Sequence, residues 1–499
     1  MTDCSETIEE SNGGLPPILN AEQASAPLAG GPWYVTILPT YLGIFVWAPF
    51  FDSLWIGDLA QFGLVWLICR AVLGALLCYA LFYLVPASLG LRCRKPIGLV
   101  AAATFGTIGS EWITGVAVGL ASILWYAVAI DYAVDSTLLG LQSCGFFTMA
   151  SLSPWDFGPI VVKSPVYLCT ALFWIYITGK AGLLRLPGVV VALMRVYTPI
   201  ALLLLIGVAL SLLPNLHSYR LADAVAIAEN EGLIQGWPVH GSVLQLMTGF
   251  FAMAGLLSVD WGARAERQRD LLSCGLTGIV VTASLTSILS LVVVASTVTR
   301  LVTDVAAPAV GEIDAIPLSF RWAVFHGIGG VPGGATLMLF GLAALAPACY
   351  SVWVFGQKLS THWPGLRQSS WTWLGGSIAF ALGATSHLNR LDLVFSAMGD
   401  VFGPVVGVIV SDWVRNRGAW LGLRRTIEPN AVIAWGVGVL FAIILDVLRV
   451  VNREYEDWCQ PTSIWGFVAS FAAFSLLTRL GSPGPVLPPI AVHPGHSNE

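Results

Sequence analysis

Long apolar runs alternate with short polar segments along most of the chain. Each run has close to the 20 or so residues that a helix needs to cross the hydrocarbon core of a membrane. We number the predicted crossings spans 1 to 12, and they cover residues 33–57, 63–90, 109–135, 163–180, 188–213, 240–263, 271–299, 334–357, 371–387, 391–413, 430–450 and 462–480. The pattern predicts an all-α polytopic membrane protein.

The composition excludes most soluble classes of protein. Hydrophobic residues make up 56% of the 499 positions and charged residues only 11%, whereas soluble proteins carry about a quarter charged residues. A formal net charge of −5 provides no basic surface for nucleic acid. The nine cysteines are scattered without a CxxC pair, so we expect no disulfide framework, no metal site and no cofactor. The expected partners are the lipid bilayer and a small molecule.

The basic residues are distributed unevenly between the two sides of the membrane. Of the 24 Lys and Arg residues, fifteen fall on the side of the chain ends and seven on the other side. Because basic residues concentrate in cytoplasmic segments, both termini are predicted to be cytoplasmic, in the inner (plasma) membrane. Residues 1–32 and the Pro-rich residues 481–499 are predicted to be unstructured tails on that side.

Among the acidic residues within predicted spans we single out four, because a charge at membrane depth is costly and often functional. Asp446 precedes Arg449 by three residues, which predicts a local ion pair on one helix face. Asp260 is followed by three arginines, which predicts a charge cluster at the end of span 6. Asp131 in span 3 and Asp400 in span 10 are the candidates for carrying a coupling ion; the alternative for Asp400 is a carboxylate satisfied within the helix bundle.

Two spans carry residues that interrupt helices. Span 1 contains Gly43 between two prolines, and span 6 contains Gly249 and Gly255 near its centre. Interrupted helices at corresponding positions of two halves are typical of secondary transporters, where the freed backbone groups bind substrate or ions. We therefore predict breaks near Gly43 and Gly255.

Four segments of the sequence resemble one transporter family. They are FGTIGSEWITGVAVGLASILWYAVAIDYA (105–133), FFAMAGLLSVDWGARAERQRD (250–270), LAPACYSVWVFGQKLS (345–360) and FGPVVGVIVSDWVRNRG (402–418). In this order they resemble the third, sixth, eighth and tenth helices of the nucleobase:cation symporters, which include cytosine, purine, uracil, allantoin, hydantoin and thiamine permeases. The resemblance implies two inverted five-helix repeats (33–213 and 240–413), a periplasmic connection (214–239) and two additional helices (414–480).

The resemblance also implies a substrate site between spans 1, 3, 6 and 8. Trp125 matches a tryptophan that stacks on a planar heterocycle, and Phe251 matches an aromatic residue on the opposite face. The backbone near Gly43 and Gly255 would supply polar groups. The sequence departs from the family at Ala129 and Ala348, where amides are expected, so the substrate cannot be transferred from the resemblance.

Sodium coupling is doubtful for a similar reason. The hydroxyl residues that would complete a sodium site correspond to Leu342 and Ala343, and aliphatic side chains offer no oxygen to a hard cation. We therefore expect a permease for a small planar nitrogen heterocycle, coupled to H⁺ rather than Na⁺. The alternatives are a transporter-like sensor or inactive paralogue, and an amino-acid transporter of the same fold. The sequence contains no Walker A, GxSxG or HExxH motif, and no enzyme activity is expected.

Overall fold

The computed structural model describes most of the chain between residues 32 and 481. The described residues are 19, 32–36, 38–52, 59–60, 62–148, 154–156, 161–183, 187–230, 243–303, 319–385, 391–424, 426–451 and 456–481. The two predicted tails, 1–32 and 481–499, therefore lie almost wholly outside the described residues.

The described residues form twelve helical spans, as the sequence pattern predicts. Ten helices are long and apolar enough to cross a membrane, and the other two predicted spans are a broken helix (span 1) and a helix of 17 residues (span 9). Span 1 consists of Trp33–Thr36, Leu38–Phe45 and Ala48–Asp52. The later spans are Leu64–Cys93, Ile97–Ser143, Pro165–Leu183, Pro187–Leu212, Val243–Gly262, Gln268–Arg300, Gly330–His362, Gln368–Ala384, Leu391–Arg415, Pro429–Val451 and Thr462–Leu480.

Short elements connect the spans. A two-stranded antiparallel pair, Trp155–Asp156 with Val161–Val162, lies between spans 3 and 4. The remaining connecting elements are the 3₁₀ turn Leu213–Ser218 and the helices Leu221–Asn230, Phe320–Gly327 and Glu456–Cys459. The helix Phe320–Gly327 turns into span 8 at Gly329 and Gly330, both with positive φ, so the glycine-rich segment 327–334 is the joint between two helices.

The predicted break in span 1 is present, three residues beyond Gly43. The first helix ends at Phe45, Val46 and Trp47 are non-helical, and the second helix starts at Ala48. Pro49 falls in the first turn of the second helix, where its missing N–H is not needed. The chain therefore turns at Trp47, and Gly43 belongs to the helix before the turn.

The predicted break in span 6 is wrong. The helix Val243–Gly262 is continuous through both Gly249 and Gly255. Its glycines serve close packing instead, because a Cβ at Gly255 would lie 2.6 Å from the Cβ of Phe82, and one at Gly249 would lie 2.4 Å from the carbonyl oxygen of Phe395. Glycine in a membrane helix allows such approaches without interrupting the backbone hydrogen bonds.

Candidate functional site

Four aromatic side chains pack together where span 1 is broken. They come from four different elements: Trp47 in the break, Trp125 on span 3, Phe250 on span 6 and Phe395 on span 10. The Phe250 ring is stacked on Trp125, with ring centroids 5.4 Å apart, and on Trp47 at 5.6 Å. Phe395 meets the Phe250 ring edge-on at 5.2 Å. We call these four residues the aromatic cluster.

The pair of rings predicted to hold a substrate is not the pair that the fold brings together. Phe251 stacks on Phe45 of span 1 at 5.4 Å, while Trp125 stacks on Phe250. Successive residues of a helix point about 100° apart, so a one-residue offset places a side chain on a different face. The aromatic partner of Trp125 on span 6 is therefore Phe250, and a substrate role for Phe251 stays a prediction.

The aromatic cluster contains two hydrogen-bond donors that find no acceptor among the described residues. They are the buried indole N–H groups of Trp47 and Trp125. A buried donor without a partner costs about 1–3 kcal/mol. Ala129 lies one helical turn beyond Trp125 on the same face and is fully buried, and Ala348 on span 8 is also buried. At both positions, where the family resemblance leads us to expect an amide, a small apolar side chain is buried in the protein interior.

A small cavity of about 20 Å³ adjoins the break in span 1. The cavity is lined by Gly43, Val46 and Trp47 of span 1, by Tyr197, Thr198 and Ala201 of span 5, and by Ala343, Ala346 and Pro347 of span 8. The Tyr197 hydroxyl already donates a hydrogen bond to the carbonyl oxygen of Leu339. Span 8 therefore contributes methyl groups to this cavity, which is where the resemblance places the sodium site.

Leu342, the second position expected to complete that site, does not face the cavity. Its side chain is 46% exposed on the surface of the protein, whereas Ala343 lines the cavity. Neither residue offers an oxygen. Among the described residues that line this cavity, the side-chain oxygens are the hydroxyl groups of Tyr197 and Thr198.

Asp131 belongs to a largely buried group of five ionisable side chains, which we call the ion cluster: Asp52, Asp131, Asp135, Lys163 and Arg321. The Lys163 Nζ atom lies 2.7 Å from Asp131 and 3.3 Å from Asp135. The Arg321 guanidinium lies 2.7 Å from Asp52 and 3.4 Å from Asp135. Two cations are therefore shared among three carboxylates.

The carboxyl groups around Lys163 hold it in its charged form. The Tyr167 hydroxyl donates a hydrogen bond of 2.5 Å to Asp131. Burial alone would lower the pKa of Lys163, which precedes span 4, but Asp131 and Asp135 more than offset this effect and raise that pKa above its usual value. The Lys163 ammonium thus stays protonated beside Asp131.

The ion cluster connects four elements of the helix bundle. Asp52 ends span 1, Asp131 and Asp135 lie in the second half of span 3, Lys163 precedes span 4, and Arg321 lies on the helix before span 8. The Arg321 backbone N–H also donates to Asp52 at 2.8 Å. Separating span 1 from span 3 would break several charged contacts at once.

Asp400 lies in a different environment, near the middle of span 10. The Thr462 hydroxyl donates a hydrogen bond of 2.5 Å to its carboxylate. The Gln245 amide on span 6 donates to Thr462 at 2.7 Å and to Ser396 at 2.8 Å. The Gln245 carbonyl oxygen accepts from the Thr462 backbone N–H at 2.6 Å. Asp400 is 4% exposed, and besides Thr462 it interacts with the carboxyl group of Asp446 on span 11.

The chain of hydrogen bonds continues to the predicted ion pair on span 11. The Ser396 hydroxyl donates to Asp446 at 2.9 Å, and Asp446 lies 3.1 Å from Arg449. The local pair predicted from the sequence is confirmed. We call the whole set the Asp400 network, and its members are Gln245, Ser396, Asp400, Asp446, Arg449 and Thr462.

Asp260, the fourth acidic residue, has a structural partner. Its carboxylate accepts a hydrogen bond of 2.7 Å from the backbone N–H of Ile97, the first residue of the helix that leads into span 3. A carboxylate at a helix N-terminus accepts a hydrogen bond from a free backbone N–H and is stabilised by the helix dipole.

The site contains residues that the sequence reasoning missed. Trp47 stands between Gly43 and Pro49, so the predicted break itself was a signal for it. Gln245 is the only amide in the span 6 helix, which could also have marked it. Phe395 and Thr462 carry no comparable signal, because only the packing of spans 10 and 12 brings them to the site.

No protein-family model and no curated protein matches the sequence. Solved structures, by contrast, match over almost the whole chain. Mhp1, a nucleobase-cation-symport-1 family transporter in a closed conformation with bromovinylhydantoin bound, is 12% identical, and the match covers 91% of this chain and 95% of that one with a TM-score of 0.58. The chain has the fold of this symporter.

Two further structures show the same fold. Mhp1 in its inward-facing conformation matches with a TM-score of 0.54 at 12% identity, over 91% of this chain and 93% of that one. A Na⁺-coupled sialic acid symporter in a substrate-bound outward-open state matches with a TM-score of 0.50 at 14% identity, over 90% and 91%. The predicted class, a five-plus-five inverted-repeat membrane protein with two additional helices, is confirmed. The resemblance to the nucleobase:cation symporters is confirmed at the level of the fold.

Proposed function

We propose that the protein is a secondary transporter that moves a small planar nitrogen heterocycle across the inner membrane by alternating access, with both termini in the cytoplasm and with H⁺ rather than Na⁺ as the coupling ion. The observation that carries the proposal is the aromatic cluster. It lies at the break of span 1, in a fold shared with a symporter that binds bromovinylhydantoin.

The chemistry of the aromatic cluster favours a flat, weakly polar ligand. A ring that enters between Trp125 and Phe250 would replace one aromatic stack by two, each stabilising by about 0.5–1.5 kcal/mol beyond the area it buries. The unpartnered indole N–H groups of Trp47 and Trp125 would donate to carbonyl oxygens or ring nitrogens of that ligand. The apolar residues Ala129 and Ala348 favour a ligand with few polar groups on its other edges.

The two coupling candidates differ in their suitability for carrying a proton. Asp131 is bound to Lys163, and a proton on Asp131 would have to displace that charged contact. Asp400 accepts a hydrogen bond from the neutral Thr462, in a membrane-buried site where the neutral acid is the cheaper form. It is also linked to the aromatic cluster, since Gln245 and Phe250 share span 6 and Ser396 follows Phe395. We therefore assign proton coupling to Asp400.

The ion cluster gives Asp131 another role, that of closing the pathway on one side. Alternating access requires that spans 1 and 3 separate on the side where substrate enters. The contacts of Arg321 and Lys163 hold that side together. Opening the pathway on that side would have to break these contacts. The ion cluster would therefore raise the free-energy cost of opening.

Transport by purified protein in liposomes tests the proposal. Nucleobases, hydantoins, vitamins and amino acids are screened for binding and then for uptake, with and without sodium and at two pH values. We expect saturable uptake of a planar heterocycle that an inward proton gradient increases and sodium leaves unchanged. Sodium-dependent uptake of an amino acid would overturn the heterocycle assignment, and binding without uptake would favour a sensor or inactive paralogue.

Two neighbouring phenylalanines provide a matched pair of variants. Phe250→Leu removes the ring that stacks on Trp125, whereas Phe251→Leu removes a ring that stacks on Phe45. We expect the first to weaken substrate binding about fivefold to tenfold, which corresponds to roughly 1 kcal/mol of lost stacking. The second is expected to change affinity less than twofold. Equal effects in an isothermal binding assay would remove the aromatic cluster from the substrate site.

A further inference from the structure

The last two helices lie outside the two five-helix repeats, yet they supply half of the Asp400 network. Span 11 contributes Asp446 and Arg449, and span 12 contributes Thr462. Spans 6 and 10 contribute the remaining three members. The carboxylate assigned to coupling is thus surrounded by residues from both parts of the molecule.

Close packing brings span 12 against this carboxylate. A Cβ added at Gly399 would lie 2.7 Å from the Cα of Gly249 and 2.9 Å from the Cβ of Ser463. Spans 6, 10 and 12 therefore meet at backbone distance, immediately beside Thr462 and Asp400. Thr462 is fully buried, so its hydroxyl forms hydrogen bonds with protein groups and not with solvent.

Charged groups near Asp400 come from span 11 among the described residues. Asp446 and Arg449 face it there, and Cys459, in the short helix before span 12, lies close to the same pair. Spans 6 and 12 present the neutral side chains of Gln245 and Thr462. The ends of span 2 and of the helix leading into span 3 touch span 10 at its other end, where Arg92 bonds to Gly418 and Thr104 to Asp412.

Thr462 can distinguish the two protonation states of Asp400. Its hydroxyl donates to the carboxylate, and its oxygen accepts from Gln245, so its proton is directed at Asp400. A donated hydrogen bond favours the ionised acid. The positive charge of Arg449, which lies 3.1 Å from Asp446, also favours the ionised form of Asp400.

We propose that spans 11 and 12 complete the proton site, with Thr462 as the residue that positions the Asp400 carboxylate and with the Asp446–Arg449 pair as its electrostatic surroundings. The inference rests on the proposed function, because it assumes that Asp400 carries the coupling proton. It gives the two additional helices a part in coupling, beyond the packing that holds them to the repeats.

The test compares three threonine variants by the pH dependence of uptake in proteoliposomes. Thr462→Ala removes the hydroxyl that donates to Asp400, and Thr462→Ser keeps it. Thr478→Ala on the same helix removes a buried hydroxyl that bonds to its own helix at the Phe474 carbonyl. We expect Thr462→Ala to move the midpoint of the pH profile upward by about one pH unit, because the ionised acid loses a donor. Thr462→Ser and Thr478→Ala should keep the midpoint of the unmodified protein.

Two outcomes would overturn the inference alone. One is an unchanged midpoint in Thr462→Ala while Asp400→Asn abolishes the pH dependence; the other is the same shift in Thr462→Ala and Thr462→Ser. If Asp400→Asn itself keeps the original pH profile, the proposed coupling residue is wrong, and the inference fails with it. Arg449→Gln provides a second measurement in case Thr462→Ala does not fold, and we expect it to move the midpoint in the same upward direction.

Discussion

The two buried acids predicted to carry a coupling ion lie in opposite surroundings. Asp131 is 2.7 Å from the Lys163 ammonium and accepts a hydrogen bond from Tyr167. Asp400 receives its hydrogen bond from the neutral Thr462, and the nearest cation, Arg449, is paired with Asp446. Both acids are nearly fully buried, so burial does not distinguish them. The difference lies in their contacts: Asp131 touches a cation directly, whereas Asp400 touches the Thr462 hydroxyl and the carboxyl group of Asp446.

This difference separates two uses of a buried carboxylate. An acid paired with a cation is held in its ionised form and resists separation from its partner, which suits a contact that closes one side of the pathway. An acid among neutral donors can gain or lose a proton while its neighbours stay in place, which suits coupling. The sequence placed both residues in the same class, and only their partners tell them apart.

The largest effect is expected from exchanging the two acids for their amides. Asp400→Asn should lower proton-driven accumulation about tenfold or more, since the amide cannot carry a proton and each tenfold costs about 1.4 kcal/mol. Asp131→Asn should keep the dependence on the proton gradient. Uptake of labelled substrate under an imposed gradient checks both. The assignment of proton coupling to Asp400 is wrong if Asp131→Asn is the variant that loses its response to pH.

Removing the cation beside Asp131 should strongly destabilise the protein. Lys163→Met leaves Asp131 without its cation, and breaking a buried pair in this way costs about 3–5 kcal/mol. The double variant Lys163→Met with Asp131→Asn should recover part of the loss, because it removes the unpaired charge as well. Thermal unfolding in detergent measures both.

Lys180→Met serves as the control for that series. Lys180 is exposed near the end of span 4, and an exposed substitution of this kind changes stability by about 0.5 kcal/mol or less. If Lys163→Met is as stable as Lys180→Met, the ion cluster does not contribute to the stability of the protein.

A smaller effect is expected within the Asp400 network. Ser396→Ala removes the hydroxyl that accepts from Gln245 and donates to Asp446, and we expect a loss of about 1 kcal/mol in stability. Ser377→Ala, at an exposed position whose hydroxyl bonds to its own helix, should be nearly neutral. Identical thermal unfolding curves for Ser396→Ala and Ser377→Ala would show that the hydrogen bonds of the Asp400 network do not stabilise the protein.

Much of the architecture follows from the sequence because membrane helices are specified locally. A run of about 20 apolar residues crosses the bilayer whatever it packs against, so spans such as 430–450 were predicted within a few residues of the helix Pro429–Val451. The local pair Asp446–Arg449 was predictable for the same reason, since it depends only on helical spacing. The break at Trp47 also had a local signal in its flanking prolines and Gly43.

The site itself depends on which helix faces meet, and the sequence does not contain that information in any one segment. Gly255 was predicted to break span 6, but the closeness of Phe82 shows that it serves packing. Phe251 was selected from a loose resemblance. The residue before it, Phe250, lies on the helix face that meets Trp125. Neighbouring residues of similar chemistry cannot be told apart until the partner helix is in place.

By itself the sequence determined that the chain is a twelve-span membrane protein of the transporter type, because the scarcity of charge and the length of each apolar run leave few other folds in a bilayer. Tertiary structure alone decided which groups surround each buried acid. Lys163 is 32 residues from Asp131, and Thr462 is 62 residues from Asp400. Whether a carboxylate is fixed by a cation or free to exchange a proton depends on such distant partners, since an electrostatic contact is set by the distance in space and not along the chain.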